Sequence, residues 1–177
     1  MITSSQYKLE KKLTSISTDK WKSAPTYNSC ETETVLWLPL FHISSENILG
    51  LTKSGYWTVG SDNSVVVFEP EMPLVSLLPC LEIEYAHFCE VAKDTFSRLG
   101  LPEELINNFP TSELIGLALI EGLGYWAELA LNWLEHIEID DQIREQLQQV
   151  VKAKWASQKT RQKASKFLKG KIKQKAS

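Results

Sequence analysis

The fold is decided by the apolar segment LIGLALIEGLGYWAELALNWL, which spans Leu114–Leu134. A segment that is apolar on every side is typical of a helix buried at the centre of a domain. This segment is long enough to cross a bilayer, but a carboxylate near the bilayer centre costs several kcal/mol or more. Glu121 and Glu128 therefore favour a core helix over a membrane span.

The polar residues of this segment and its end are predicted to lie on one side of the helix. At about 100° per residue they fall within an arc of about 60°. This arc predicts a narrow polar seam that meets water, formed by Glu121, Glu128, Asn132 and Glu135. Gly122 and Gly124 each destabilise a helix by about 1 kcal/mol relative to alanine. A break or kink is expected there unless another backbone packs closely.

Other helices are predicted on both sides of the apolar segment. Apolar residues recur with helical spacing over Leu81–Leu99, and the glycine and proline that follow end that helix. A short element over Pro102–Ile106 has proline and two acidic residues in its first turn, as a helix start favours. Asp140 is expected to cap a last helix whose apolar stripe includes Ile143 and Leu147.

Strands are predicted upstream of these helices. The apolar run Val35–Phe41 contains Pro39, which cannot donate to a ladder, so an irregular strand is expected. Gly55–Gly60 and Val65–Glu69 are rich in β-branched and aromatic residues and are joined by the turn-forming residues Ser61–Ser64. This pattern predicts a β-hairpin.

The predicted fold class is α+β. A small antiparallel hairpin or sheet in the N-terminal half is followed by a helical half built on the largely buried apolar helix, with a basic C-terminal extension. We expect a polar arm over residues 1–30, a single domain over 31–155 and a basic tail over 156–177. Packing is predicted to end near Trp155, because residues 156–166 contain no large apolar side chain.

Charge is strongly segregated along the chain. Residues 1–145 contain all 22 acidic residues and nine of the 19 basic ones, a net charge of −13, whereas residues 146–177 contain ten basic residues and no acidic one, a net charge of +10. Such polarity is typical of an interaction segment. The candidate partner-binding residues are Lys152, Lys154, Trp155, Lys159, Arg161, Lys163, Lys166, Lys169, Lys171 and Lys173.

The first-choice partner of this segment is nucleic acid, since lysines neutralise phosphates while Trp155 and Phe167 offer faces on which bases stack. An acidic protein or an anionic membrane surface is an alternative. The segment could also be only solubilising, in a protein–protein adaptor, or it could fold back on the acidic body. We favour a non-enzymatic interaction or accessory protein. The oligomeric state stays open.

The motifs of known chemistries are weak. Glu128, Asn132, Glu135 and His136 have metal-ligating side chains, but a polar seam explains them better. Glu84 and His87 form one Glu-x-x-His pair without the second copy that a di-iron site needs. Nucleotide and hydrolase motifs are absent from the sequence. We therefore predict no catalytic residue, metal or cofactor.

A small enzyme or ligand-binding domain is the rival hypothesis. Its pocket would lie between the sheet and the helices and be lined by Trp37, Tyr56 and Trp57.

Cysteine content and the N-terminal sequence bear on the cellular compartment. Cys30, Cys80 and Cys89 are an odd number without metal-ligand spacing, so buried free thiols are expected. The N-terminal residues never form the apolar run of a secretory signal. A cytoplasmic protein is therefore expected.

Overall fold

The computed structural model describes residues 4–26, 33–70, 72–120 and 123–170. The chain divides into two compact units, one of Met1–Cys80 with Ala86–Phe109 and one of Leu81–Tyr85 with Pro110–Ser177. We call them the sheet unit and the helical unit. The strands lie in the first and helices follow, so the predicted α+β class is confirmed.

The sheet unit is built on five antiparallel strands in sequence order. The strands are β1 (Lys22–Pro25), β2 (Thr34–His42), β3 (Ile48–Thr52), β4 (Trp57–Gly60) and β5 (Val65–Val67). The predicted hairpin corresponds to β4 and β5, which pair antiparallel with Val59 opposite Val66. Strand β2 is irregular as predicted, since its register with β3 shifts between Pro39 and Phe41.

The sheet curls until its two edges approach each other. Thr26, next to the end of β1, forms an isolated bridge with Val65 of β5. The inner face encloses a small apolar cluster of Ala24, Trp37 and Val65. Gly50 leaves the space that Trp37 needs, because a Cβ atom at Gly50 would lie 2.5 Å from the indole ring.

Aromatic side chains join the outer face of the sheet to helix α2 (Tyr85–Leu99). The rings of Phe41 and Phe88 meet edge to face at 5.6 Å, and the ring of Trp57 lies 6.4 Å from that of Phe96. The indole nitrogen of Trp57 donates to the carbonyl oxygen of Asn108. The unit also contains helix α1 (Ser4–Thr14) and the 3₁₀ helix Glu103–Asn108, and the 3₁₀ helix Val75–Glu82 begins in it.

The helical unit contains α3 (Thr111–Ile120), α4 (Gly124–Trp133), α5 (Asp141–Lys152) and α6 (Gln158–Gly170). The apolar segment is therefore two helices, broken at the predicted weak point between Ile120 and Gly124. Asp140 caps α5 as predicted, with its carboxylate accepting from the Ile143 amide at 2.7 Å. No helix among the described residues has the length and apolar character that crossing a membrane requires.

The expectation that packing ends near Trp155 was wrong. Helix α6 packs against α4 and α5, and Ala156, Thr160 and Ala164 are buried. The physical reason is that small side chains let two helices approach closely, so an apolar stripe of large residues is not needed. The boundaries proposed for arm, domain and tail stay a prediction.

Candidate functional site

The candidate basic segment begins at a fixed corner between α5 and α6. Arg161 reaches back from α6 and donates to the carbonyl oxygens of Ala153 at 3.2 Å and Ala156 at 2.9 Å. The Ser157 hydroxyl accepts from the Thr160 amide at 3.1 Å and so caps the start of α6. The guanidinium of Arg161 is therefore engaged in holding the corner together.

Two lysines of α6 contact the polar seam of α4. The Lys159 ammonium pairs with the Glu128 carboxylate. Lys163 pairs with Glu135 at 2.6 Å and donates to the side-chain oxygen of Asn132, also at 2.6 Å. The hydrogen bond and the charge of Lys163 hold the pKa of the Glu135 carboxyl below its ordinary value. These three seam residues thus face basic side chains, although the sequence predicted that they face water alone.

The remaining members of the seam and of the basic segment are placed differently. Glu121, Lys171 and Lys173 lie outside the described residues. Among the described residues of the segment, the lysines that are exposed and form no ion pair are Lys152, Lys154, Lys166 and Lys169. Trp155 follows two of these lysines at the corner, and 40% of its surface is exposed. A large aromatic side chain that remains this exposed is available to a partner.

A second exposed aromatic residue lies beside this corner. Gly124 is close to the corner backbone, since a Cβ atom there would lie 3.9 Å from the carbonyl oxygen of Trp155. The next residue, Tyr125, is 60% exposed. We call Tyr125, Lys152, Lys154 and Trp155 the basic-aromatic surface.

The ring of Tyr125 is held in place by its neighbours. Its hydroxyl donates to the Glu82 carboxylate at 2.9 Å, which raises the pKa of Tyr125, and its ring meets that of Trp126 at 5.0 Å. Tyr125 was not predicted as a site residue from the sequence. The signal that could have found it is the pair of glycines in the sequence just before it, which predicts a helix start there, because a residue at a helix start is less enclosed than one in the middle.

Two aliphatic side chains add apolar character near the same helix break. Ile120 ends α3 and Leu123 precedes α4, and both are exposed. Neither side chain stacks on a base or neutralises a phosphate. Exposed aliphatic groups of this kind are more typical of a protein-binding surface.

The side chains of the weaker candidates contact neighbours within the fold. No cluster of three or more metal-ligating side chains occurs among the described residues. His87 pairs with Glu90 on its own helix, and His136 stacks on the ring of Tyr85 at 5.4 Å. Burial raises the pKa of the Cys80 thiol, which makes it a poor nucleophile.

Cys89 is half-buried and free, and Cys30 lies outside the described residues.

The three aromatic residues suggested for a ligand pocket differ in their burial. Trp37 and Trp57 are buried, so they belong to the core of the sheet unit. Tyr56 does line a pocket, at one end of the curled sheet.

Comparisons with protein-family models, with curated proteins and with solved structures found no match to this chain.

Proposed function

We propose that the protein is a non-enzymatic interaction protein that binds single-stranded nucleic acid through the basic-aromatic surface. The observation that carries the proposal is the exposure of Trp155 beside Lys152 and Lys154, since all three are exposed and neither lysine has an ion-pair partner among the described residues. A stacking face next to two cations is the combination that single-stranded nucleic-acid binders use.

The charges around the surface define where the phosphates would lie. The Glu82 carboxylate beside Tyr125 repels a phosphate on that side. The phosphates would therefore follow Lys152 and Lys154, while bases stack on Trp155 and on the open face of Tyr125. Lys159, Arg161 and Lys163, which the sequence also suggested, are assigned to holding α6 instead.

The test is fluorescence anisotropy with a labelled single-stranded oligonucleotide at several salt concentrations. Lys152→Gln with Lys154→Gln is expected to weaken binding and to reduce the salt slope by about 0.7 for each phosphate that is no longer neutralised. The matched control is Lys11→Gln with Lys12→Gln, which removes the same charge from exposed positions of α1. An equal weakening in both double variants would reduce the effect to overall charge and refute the assignment.

Stacking is tested separately at Trp155. Replacement by alanine is expected to cost about 1–3 kcal/mol of binding free energy, whereas Trp155→Phe keeps an aromatic face and weakens binding less. Binding that does not depend on salt, or on the ring at this position, contradicts the proposal. Point variants are preferable to truncation at residue 156, because truncation also removes the packing of α6 against α5.

A second candidate function is a protein–protein adaptor for an acidic protein, and the exposed Ile120 and Leu123 favour it. A pull-down with wild-type protein and with Ile120→Ser, Leu123→Ser separates the two. A nuclease-resistant protein partner that the variant loses supports the adaptor. A nuclease-sensitive association that the variant retains supports nucleic acid.

A further inference from the structure

The sheet unit contains a pocket that has no part in the proposed nucleic-acid function. Because successive strands run antiparallel, β1, β3 and β5 end where β2 and β4 begin. The pocket lies at this end of the curled sheet and has a volume of about 370 Å³. Small-molecule sites in proteins typically span about 300–1,000 Å³.

The lining of the pocket combines apolar side chains with hydroxyl groups, the latter from Thr26, Thr34, Thr52 and Ser54. Val35, Val67 and Met72 supply aliphatic and thioether surface. Tyr56 also belongs to the lining, and two hydrogen bonds join its backbone to Thr52. The Thr52 amide donates to the Tyr56 carbonyl at 2.8 Å, and the Tyr56 amide donates to the Thr52 hydroxyl at 3.1 Å.

Two acidic residues also belong to the lining. Glu33 and Glu69 are exposed members of it. The backbone at Glu33 is held by Thr26, whose amide donates to the Glu33 carbonyl at 2.7 Å. Within the part of the chain that the structure describes, no ammonium or guanidinium group pairs with either carboxylate. Charges of one sign around a concave site raise the local concentration of the opposite ion.

Two exposed carboxylates alone do not define a binding site, but their combination in one pocket with three apolar side chains and a tyrosine selects a type of ligand. A hydrated metal ion gains nothing from aliphatic side chains. A neutral apolar molecule gains nothing from the carboxylates. An alkylammonium group uses both, because its charge prefers carboxylates and an aromatic face while its stem prefers apolar surface.

We propose that this pocket binds an organic cation with a short alkyl stem. The ammonium lies at Glu33 and Glu69 and against the ring of Tyr56, and the stem lies on Val35 and Val67. Free amines and the lysine side chain of a protein share this chemistry.

The test uses full-length ¹⁵N-labelled protein titrated with n-butylammonium chloride and followed by two-dimensional amide NMR. Saturable shifts are expected at Thr52, Tyr56 and Val67. The matched probe is n-butanol, which has the same stem without the charge and is expected to bind at least about tenfold more weakly, a difference of about 1.4 kcal/mol. Equal binding of the two probes, or shifts that map elsewhere, overturns the proposal.

Substitutions in the pocket test the roles of the two carboxylates and of the Tyr56 ring. Glu33→Gln with Glu69→Gln is expected to weaken n-butylammonium binding about tenfold or more. The matched control Glu46→Gln removes an exposed carboxylate outside the pocket lining and is expected to bind like wild type. Tyr56→Phe should retain affinity that Tyr56→Leu loses. If the double variant binds as tightly as wild type while its spectrum shows an intact fold, the proposal is wrong.

The two sources of the ligand are separated by a third probe, N-acetyl-lysine amide. Tighter binding of this compound than of n-butylammonium assigns the pocket to a lysine side chain of a protein partner. Equal or weaker binding assigns it to free amines. Both results support the pocket, and neither depends on whether the basic-aromatic surface binds nucleic acid.

Discussion

Helix α6 is held by small side chains, and this predicts a specific sensitivity at Ala164. Ala164 has 0% exposure and Thr160 has 2%, on the side of α6 that packs within the helical unit. Ala164→Leu adds three carbon atoms where there is no free surface. Overpacking of this kind typically costs about 1–3 kcal/mol. For a chain of this length we expect the melting temperature to fall by about 2–12 °C.

The control for this prediction is Gln162→Leu, which places the same side chain on the exposed side of α6. Substitutions at such surface positions usually change stability by no more than about 0.5 kcal/mol. Urea unfolding followed by circular dichroism measures the global effect. Limited trypsin digestion measures the local one, because trypsin can cleave after the lysines and Arg161 of α6 when the helix detaches and its backbone unfolds.

The two assays separate the possible outcomes for α6. Loss of stability together with rapid cleavage in Ala164→Leu, but not in Gln162→Leu, supports a packed helix. If both variants unfold and digest like wild type, the burial of Ala164 does not contribute to stability, and the reasoning about small residues is refuted.

Single interactions elsewhere in the chain give three further predictions. Asp140→Ala removes the cap of α5 and should destabilise the protein by about 1 kcal/mol in urea unfolding. Asp140→Asn retains an accepting oxygen and should be destabilised less. Equal effects of the two substitutions would count against the cap. Because Lys163 lowers the folded-state pKa of Glu135, the ion pair contributes stability above the unfolded-state pKa and loses it as pH falls through the folded-state value. NMR titration should show this Glu135 pKa rising in Lys163→Gln, and an unchanged value would exclude the ion pair. Gly50→Ala places a Cβ atom 2.5 Å from the ring of Trp37 and should destabilise the sheet by about 1–3 kcal/mol. Altered tryptophan fluorescence is a second measure. A wild-type stability and a wild-type fluorescence spectrum would contradict the close approach.

Elements with strong local patterns were predictable from sequence. The β4–β5 hairpin has β-branched residues on both sides of a turn, and α5 has both a capping aspartate and an apolar stripe. The position of the break in the apolar segment was predictable from Gly122 and Gly124, because glycine is the least favourable residue there apart from proline. In each case the signal lies within a few residues of the feature that it predicts.

The missed elements depend on interactions between residues that are distant in the chain. Strand β1 has the sequence KSAP, which has little strand propensity and is extended because it pairs with β2. Strand β3 contains Gly50, which disfavours a strand locally but is needed for the approach of Trp37. Helix α6 was missed for a similar reason, since Thr160 and Ala164 give no large apolar stripe.

Part of the basic segment is engaged in contacts within the protein, and under the proposed function this limits the number of phosphates that the segment can neutralise. Lys159 and Lys163 are four residues apart on α6 and face Glu128, Asn132 and Glu135. These lysines neutralise the seam and are not free for a partner.

The salt dependence expected for the proposed nucleic-acid binding follows from the cations that remain. In the described part of the segment these are Lys152, Lys154, Lys166 and Lys169, because Arg161 holds the corner. The two lysines of the basic-aromatic surface alone correspond to a salt slope of about −1.4 on single strands, all four lysines to about −3, and all ten basic residues to about −7. A slope steeper than about −3 would mean either that lysines beyond Gly170 contribute or that the ion pairs of α6 open on binding. Opening would leave Glu128 and Glu135 without their cations beside a bound polyanion, so the lysines beyond Gly170 are the more favourable source of any additional neutralisation.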